Sequence, residues 1–142
     1  MVKYLLDTCI LVSILRGDTD IQGRVESVGV QNCAISELTL AELFAGPYAI
    51  LSRTEVQDKV DNANRQIESL RVLSTLIKVL LWQNASEEFA RTHALLAREG
   101  NPIEDFDLLI GSFAVANGYT LVTGNEKHFC RIPSLKIENW YK

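Results

Sequence analysis

Cysteine, proline and histidine are scarce in this chain, and their scarcity excludes several kinds of site. The 142 residues include three cysteines, three prolines and two histidines. Cys9, Cys33 and Cys130 are odd in number and follow no metal-ligand spacing, which indicates free thiols in a reducing compartment rather than a disulfide framework. His93 and His128 have no companion at metal-ligand spacing, and we predict surface positions for both.

Long apolar runs and an excess of positive charge are also missing. The longest apolar stretches fall far below the ~20 residues that cross a bilayer, and no signal peptide is recognisable, so we expect a cytoplasmic protein without membrane association. The net charge is −4 and the isoelectric point about 5.2. This balance counts against a passive nucleic-acid binder but not against a nuclease, since clustered active-site carboxylates lower the total charge.

Three motifs that handle phosphates or acyl groups are absent. The chain has no glycine-rich phosphate loop followed by lysine, no dinucleotide-binding glycine turn and no nucleophile elbow. Hydrophobic residues make up 47% and charged residues 23% of the chain, and neither repeats nor linkers interrupt it. The composition therefore predicts one globular domain spanning residues 1–142.

Short apolar runs alternate with helical patterns along the chain. We predict strands at 4–6, 33–36, 77–82, 119–123 and 135–137, and helices at 9–15, 18–28, 39–45, 54–76, 86–99 and 105–117. Gly46 and Pro47 are expected to end the helix at 39–45. Because no hairpin signals separate the strands, the pattern predicts a three-layer α/β/α fold whose central sheet is mainly parallel and has four to five strands.

The long helix predicted at 54–76 has a narrow apolar seam. Its members recur at spacings of three and four and are Val56, Val60, Ala63, Ile67 and Leu70. Such a seam is typical of packing against another helix. It fits either one arm of a helical hairpin or a surface that binds a partner.

Four acidic or amide side chains stand where a predicted strand has just ended or a helix is beginning: Asp7, Glu42, Asp107 and Asn125. The carboxyl ends of parallel strands converge on one crevice. Carboxylates brought together there repel each other and hold protons unless a cation neutralises them. Hard oxygen ligands without nearby cysteine or histidine ligands favour Mg²⁺ or Mn²⁺ over zinc. The pattern therefore indicates metal-dependent phosphodiester chemistry.

Three of these positions also have a simpler structural explanation. Asp7 is placed to cap the amino end of the first helix. Glu42 follows Thr39 by three residues, which is the spacing of a capping box. Asn125 closes a turn in which an amide residue tolerates left-handed backbone geometry.

Asp107 has an acidic neighbour that competes with it for the catalytic role. Asp105 and Asp107 are two residues apart, so they cannot face the same point from one helix. Asp105 is the better candidate for the helix cap. Asp107 shares its helix face with small residues that leave room beside its carboxylate, so it is the better candidate for chemistry.

Four different sequence blocks follow one another along the chain: LLDTCIL at 5–11, LTLAEL at 38–43, PIEDFDLLI at 102–110 and LVTGNEKHF at 121–129. Together they resemble the motif blocks of the PIN-domain family and, within it, the VapC toxins of type II toxin–antitoxin pairs. The resemblance covers nearly the whole chain. It implies a PIN-like fold and a Mg²⁺- or Mn²⁺-dependent endoribonuclease acting on RNA, with tRNA one candidate substrate. It also implies a homodimer and inhibition by a cognate antitoxin.

Carried onto this chain, the resemblance implies that Asp7, Glu42 and Asp107 are the metal ligands and that Asn125 is the fourth site position. The chain departs from the family pattern at two points, because Cys9 stands where asparagine is frequent and Asn125 where aspartate is frequent. These departures motivate an alternative, a PIN-like scaffold that binds a partner without turnover. An aspartyl phosphatase is a further alternative, although Cys9 stands where that class usually has a second carboxylate. Cations adjoining the site blocks, available to hold substrate phosphates, are Lys3, Arg16, Lys127 and Arg131.

Overall fold

A computed structural model describes all 142 residues, which form a five-stranded parallel sheet with helices on both faces. The three-layer α/β/α fold predicted from the sequence is confirmed. The strands are β1 (Tyr4–Leu6), β2 (Cys33–Ser36), β3 (Lys78–Leu80), β4 (Thr120–Val122) and β5 (Lys136–Glu138). The helices are α1 (Thr8–Leu15), α2 (Thr19–Val28), α3 (Glu37–Arg53), α4 (Gln57–Leu76), α5 (Ser86–Arg98), α6 (Asp105–Asn117) and α7 (Glu126–Phe129).

The alternation of side chains along β1 builds a core on each face of the sheet. Tyr4 and Leu6 join the apolar cluster that includes Ile10 of α1. Leu5 points to the opposite face and joins the cluster that includes Phe113 of α6. The three strand residues are all buried, as expected for a central strand of a parallel sheet covered on both sides.

The strand order places a topological switch point between β1 and β4. The order across the sheet is β3-β2-β1-β4-β5, and every neighbouring pair is parallel. The chain therefore leaves β1 in one direction across the sheet and fills the other side only from β4 onward. Open parallel sheets bind ligands in the crevice outside the carboxyl ends of the strands at such a point.

Helix α3 is longer than the sequence predicts. We expected a short helix ending at Gly46 and Pro47, but α3 continues to Arg53 with Pro47 buried inside it. A proline in a helix removes one backbone hydrogen bond and crowds the preceding turn, at a cost of about 3 kcal/mol. The extensive packing of α3 against α4 offsets that cost. The predicted end of the helix at Gly46 and Pro47 was wrong because it considered only the local helix propensity of these residues and not the packing of α3 against α4.

The apolar seam of α4 is used within the chain. Ala63, Ile67 and Leu70 are buried, whereas Val56 precedes the helix and is 56% exposed. The α3–α4 pair is thus a helical hairpin, which was one of the two alternatives predicted from the sequence. None of the helices is both long and apolar enough to cross a membrane.

All three cysteines are free, as predicted. Burial raises the pKa of the Cys33 thiol to about 11, so this thiol remains protonated at neutral pH. Cys130 is exposed, and Cys9 lies at intermediate depth beside the candidate site.

Candidate active site

A cleft of about 510 Å³ brings together the four residues predicted from the sequence. Asp7 follows β1, Asn125 follows β4, Glu42 lies in α3 and Asp107 lies in the first turn of α6. Helix α6 leads into β4, so its amino end stands at the carboxyl edge of the sheet. The cleft is therefore at the switch point between β1 and β4. Its other lining residues are Thr8, Cys9, Val12, Ser13, Arg16 and Tyr141.

Asp7 occupies the N-cap position of α1 but its side chain makes no capping hydrogen bond. Instead, its Oδ2 accepts a 2.8 Å hydrogen bond from the Thr123 hydroxyl and lies 3.8 Å from Cys9 Sγ. The Asp7 residue is only 6% exposed. Its carboxylate is therefore held by the loop after β4, and no capping hydrogen bond accounts for its presence.

Burial raises the pKa of the Asp7 carboxyl above its ordinary value, and the charge of Asp107 raises it further, while the Thr123 hydrogen bond acts in the opposite direction. Both of the raising effects reflect negative charge gathered in a poorly solvated place. A cation held between the carboxylates of Asp7 and Asp107 would lower the pKa of Asp7 again. The site is thus electrostatically prepared for a positive ligand.

Glu42 is not part of a capping box. The N-cap residue of α3 is Ser36, whose hydroxyl accepts a hydrogen bond from the Leu38 amide. Glu42 is exposed at the mouth of the cleft, and its Oε1 accepts a 2.9 Å hydrogen bond from the Thr8 hydroxyl. Thr8 follows Asp7 directly, so this contact ties α3 to the start of α1 and fixes Glu42 beside the cleft.

The structure separates the two neighbouring aspartates of α6. Asp107 lines the cleft, its side chain is 19% exposed, and its Oδ2 lies 3.3 Å from His128 Nδ1. Asp105 is 75% exposed and lies 3.7 Å from His93 Nε2, away from the cleft. The expectation that Asp105 caps α6 was wrong. Glu104 holds the N-cap position, and its side chain makes no capping hydrogen bond.

Two side chains that sequence reasoning missed complete the site. The Thr123 hydroxyl donates a hydrogen bond to the Asp7 carboxylate and accepts one from the backbone N–H of Asn125 at 3.0 Å. His128 Nδ1 lies 3.0 Å from Asn125 Nδ2 as well as close to Asp107. A lone histidine has no sequence signature of its own. Its spacing of three residues from Asn125, one helical turn, was the available signal.

Only one of the four cations considered from the sequence lines the cleft, and that is Arg16. Arg131 donates from Nη1 to the Pro102 carbonyl at 2.9 Å. Lys3 Nζ stands 5.2 Å from the centre of the Tyr4 ring. Arg16 is therefore the cation best placed to meet a phosphate in the cleft.

The family model described as PIN domain matches residues 4–135 of this chain. The chain belongs to the PIN-domain family. It is 33% identical over 141 residues to "Ribonuclease VapC2" of Rickettsia felis, with 98% of each chain covered. It is 26% identical over 141 residues to "tRNA(fMet)-specific endonuclease VapC" of Salmonella typhimurium, with 99% of each covered.

Two solved structures share the fold over nearly the whole chain. A chain in the crystal structure of DNA-bound VapBC from Salmonella typhimurium superposes with a TM-score of 0.83 at 27% identity, covering 99% of both chains. A chain of VapBC2 from Rickettsia felis, bound to a DNA fragment from its promoter, gives a TM-score of 0.81 at 30% identity, again with 99% of both covered.

The donors in this PIN-domain cleft fit a hydrated, hard divalent cation. No three histidine, cysteine, aspartate or glutamate side chains are grouped closely enough to hold a metal ion together. Mg²⁺, however, keeps several waters and is usually held by only one or two carboxylates. The observation that favours a cation is the donor set itself, since the carboxylates of Asp7, Glu42 and Asp107 line one cleft whose only basic residue is Arg16.

Replacing Asp7 by asparagine is expected to stabilise the metal-free protein at neutral pH. A raised pKa of Asp7 lowers the free energy of unfolding wherever the carboxyl must ionise. This loss of stability is absent in acid, where the carboxyl is protonated in both folded and unfolded chains. The loss of stability develops as the pH rises from the ordinary pKa of aspartate through the raised pKa of Asp7. Asp107 adds to this penalty, and Arg16 is the only basic residue lining the cleft.

Thermal unfolding in EDTA measures the effect. At neutral pH the melting temperature of Asp7→Asn should exceed that of the parent by on the order of a few degrees, and the difference should vanish near pH 3, roughly below the ordinary aspartate pKa. Equal melting temperatures at neutral pH would show that Asp7 bears no electrostatic strain.

Proposed function

We propose that this protein is a single-domain, VapC-type endoribonuclease that hydrolyses phosphodiester bonds in RNA with Mg²⁺ or Mn²⁺. The observation that carries the proposal is the convergence of Asp7, Glu42 and Asp107 on one cleft at the switch point of the sheet. Ribonucleases and tRNA endonucleases among its relatives support RNA as the substrate.

The side chains of the cleft divide the work of hydrolysis. Asp7 and Asp107 would hold the metal ion, and the chemistry that a bound ion would supply there is polarisation of the scissile phosphate and a lower pKa for the attacking water. Glu42, fixed by Thr8 at the open mouth, would orient that water and accept its proton. Arg16 would bind a phosphate that flanks the cleaved bond.

The residues behind the carboxylates hold them in place. Thr123 fixes the Asp7 carboxylate through the hydrogen bond from its hydroxyl. Asn125 lies next to His128, which in turn contacts Asp107. Asn125 is uncharged, so in its position it would offer hydrogen bonds to water or phosphate rather than a negative ligand.

A cognate antitoxin is the proposed inhibitor of this activity, and the cytoplasm its proposed location. The Salmonella typhimurium and Rickettsia felis structures are VapBC complexes, which supports an antitoxin partner. A homodimer of this chain belongs to the same proposal and follows from the family resemblance. The chain also exposes apolar side chains on one shallow groove between α1 and α4, where Leu15, Val72 and Leu76 are 37%, 50% and 66% exposed. Exposed apolar surface of this kind favours protein docking.

Metal removal tests the proposed reaction. Purified protein should cleave a fluorogenic single-stranded RNA or a folded tRNA in Mg²⁺ or Mn²⁺, and excess EDTA should reduce cleavage to background because no metal ion is then available to polarise the scissile phosphate. Adding back Mg²⁺ or Mn²⁺ should restore it. Cleavage that survives EDTA unchanged, or no cleavage of any RNA with metal present, would contradict the proposed function.

A further inference from the structure

Tyr141 is the only aromatic residue lining the cleft. It lies beyond β5, close to the end of the chain, and reaches across to α1. The residue is 46% exposed. The proposed hydrolysis uses carboxylates and a cation but gives this tyrosine no role.

The position of the Tyr141 ring is fixed at its hydroxyl. The phenol donates its single proton to the Cys9 carbonyl oxygen at 2.9 Å. Its oxygen lies 2.6 Å from Ser13 Oγ, so the Ser13 hydroxyl is the donor in that pair. Both partners belong to α1, the helix that begins directly after Asp7. The ring therefore keeps a set distance from the carboxylates.

The loop after β4 lies against the Tyr141 ring. A Cβ atom on Gly124 would lie 2.9 Å from the Tyr141 ring, which is closer than carbon atoms can pack. Gly124 precedes Asn125, so the absence of a side chain there lets the aromatic ring stand next to the site. Ring, α1 and the loop after β4 thus form one continuous wall of the cleft.

The chain on both sides of Tyr141 is anchored. Trp140 is 3% exposed and packs edge-on against Tyr4 with ring centres 5.3 Å apart. Lys142 Nζ forms a 2.9 Å ion pair with Glu126 Oε2. The ring is consequently held in place before any ligand arrives, and little conformational freedom is lost when something binds to it.

We propose that the ring of Tyr141, a residue 46% exposed, stacks on a nucleobase next to the scissile phosphate and so holds unpaired RNA in the cleft. The inference rests on the proposed ribonuclease function. Proteins bind unpaired RNA by stacking bases on aromatic side chains, and this contact tolerates any base because every base has a π face. Tyr141 would thus select for an unstacked nucleotide rather than for a particular sequence.

Three variants separate stacking from a purely structural role. Tyr141→Ala removes the ring, Tyr141→Phe keeps the ring and removes the hydroxyl, and Tyr48→Ala removes a tyrosine of similar exposure, 49%, outside the cleft. On a short single-stranded RNA, Tyr141→Ala should raise KM about tenfold with kcat nearly unchanged, since stacking is lost equally from ground and transition states. Tyr48→Ala should stay close to the parent, and Tyr141→Phe, which keeps the ring but loses its hydroxyl contacts, should raise KM clearly less than Tyr141→Ala.

Abasic substrates test the contact itself. Replacing single nucleotides on either side of the cleaved bond by abasic ribose should, at one position, lower kcat/KM of the parent about tenfold and leave Tyr141→Ala unaffected, because the partner ring is already gone. If Tyr141→Phe raises KM as much as Tyr141→Ala does, the tyrosine acts only through its hydroxyl contacts with α1, and the inference fails. An abasic penalty that persists in Tyr141→Ala also overturns it while leaving the ribonuclease function standing. A parent that cuts no RNA overturns both.

Discussion

Asp7→Asn is expected to lower RNA cleavage by about a hundredfold or more. A metal ion at a phosphoryl group contributes several kcal/mol of transition-state stabilisation, and each 1.36 kcal/mol corresponds to roughly a factor of ten in rate. Asp7 is the most buried of the candidate ligands, at 6% exposure, and its carboxylate is aligned by Thr123. Asparagine has the same shape and can still accept that hydrogen bond, but it lacks the charge that holds the cation.

Asp18→Asn is the matched control for this variant. Asp18 also stands at a helix N-cap position, but its carboxylate does cap, accepting from the Asp20 and Ile21 amides. It does not line the cleft, and asparagine caps helices about as well as aspartate. Asp18→Asn should therefore cleave RNA at the parental rate. Parental activity in Asp7→Asn, with both proteins folded by circular dichroism, would exclude Asp7 from the chemistry.

The second large effect is expected within α6, where a pair of neighbouring aspartates provides an internal comparison. Asp107→Asn should also reduce cleavage about a hundredfold or more, because it removes the second charge that would hold the metal ion. Asp105→Asn should leave kcat/KM within about twofold of the parent, since the Asp105 side chain is 75% exposed and lies outside the cleft. Steady-state kinetics of the two variants on one RNA measure the difference.

The comparison has two outcomes that would contradict the assignment. If Asp105→Asn were the impaired variant, the helix would present its other face to the substrate. If both variants kept full activity, α6 would contribute no ligand at all. Far-ultraviolet circular dichroism and melting temperature establish that neither change disturbs the helix.

The location of the site could be predicted from the sequence because topology determines it. Parallel strands joined by helices must place the ends of β1 and β4 at one edge, and Asp7 and Asn125 lie there for that reason alone. The structure also places Asp107 and not Asp105 in the cleft, as expected for residues two apart on a helix, which face different directions. These conclusions needed only chain direction and helical period.

The contacts within the site could not be predicted, because they join distant parts of the chain. The hydrogen bond between Thr123 and Asp7 and the contact of His128 with Asp107 depend on side-chain directions that no local pattern encodes. Helix α3 passes through Pro47 for a similar reason, since packing against α4 outweighs a local preference to end. Tyr141 likewise has no motif, and only the fold brings it to α1.

The central claim is that Asp7 and Asp107 together bind one divalent cation in the cleft, and calorimetric titration of Mn²⁺ tests it most directly. The parent should show saturable binding. Asp7→Asn and Asp107→Asn should each weaken that binding about tenfold or more, since each removes a full charge from the site, whereas Asp105→Asn should bind as the parent does. A parent without saturable Mn²⁺ binding, or an Asp7→Asn protein that binds Mn²⁺ as tightly as the parent, would contradict the account.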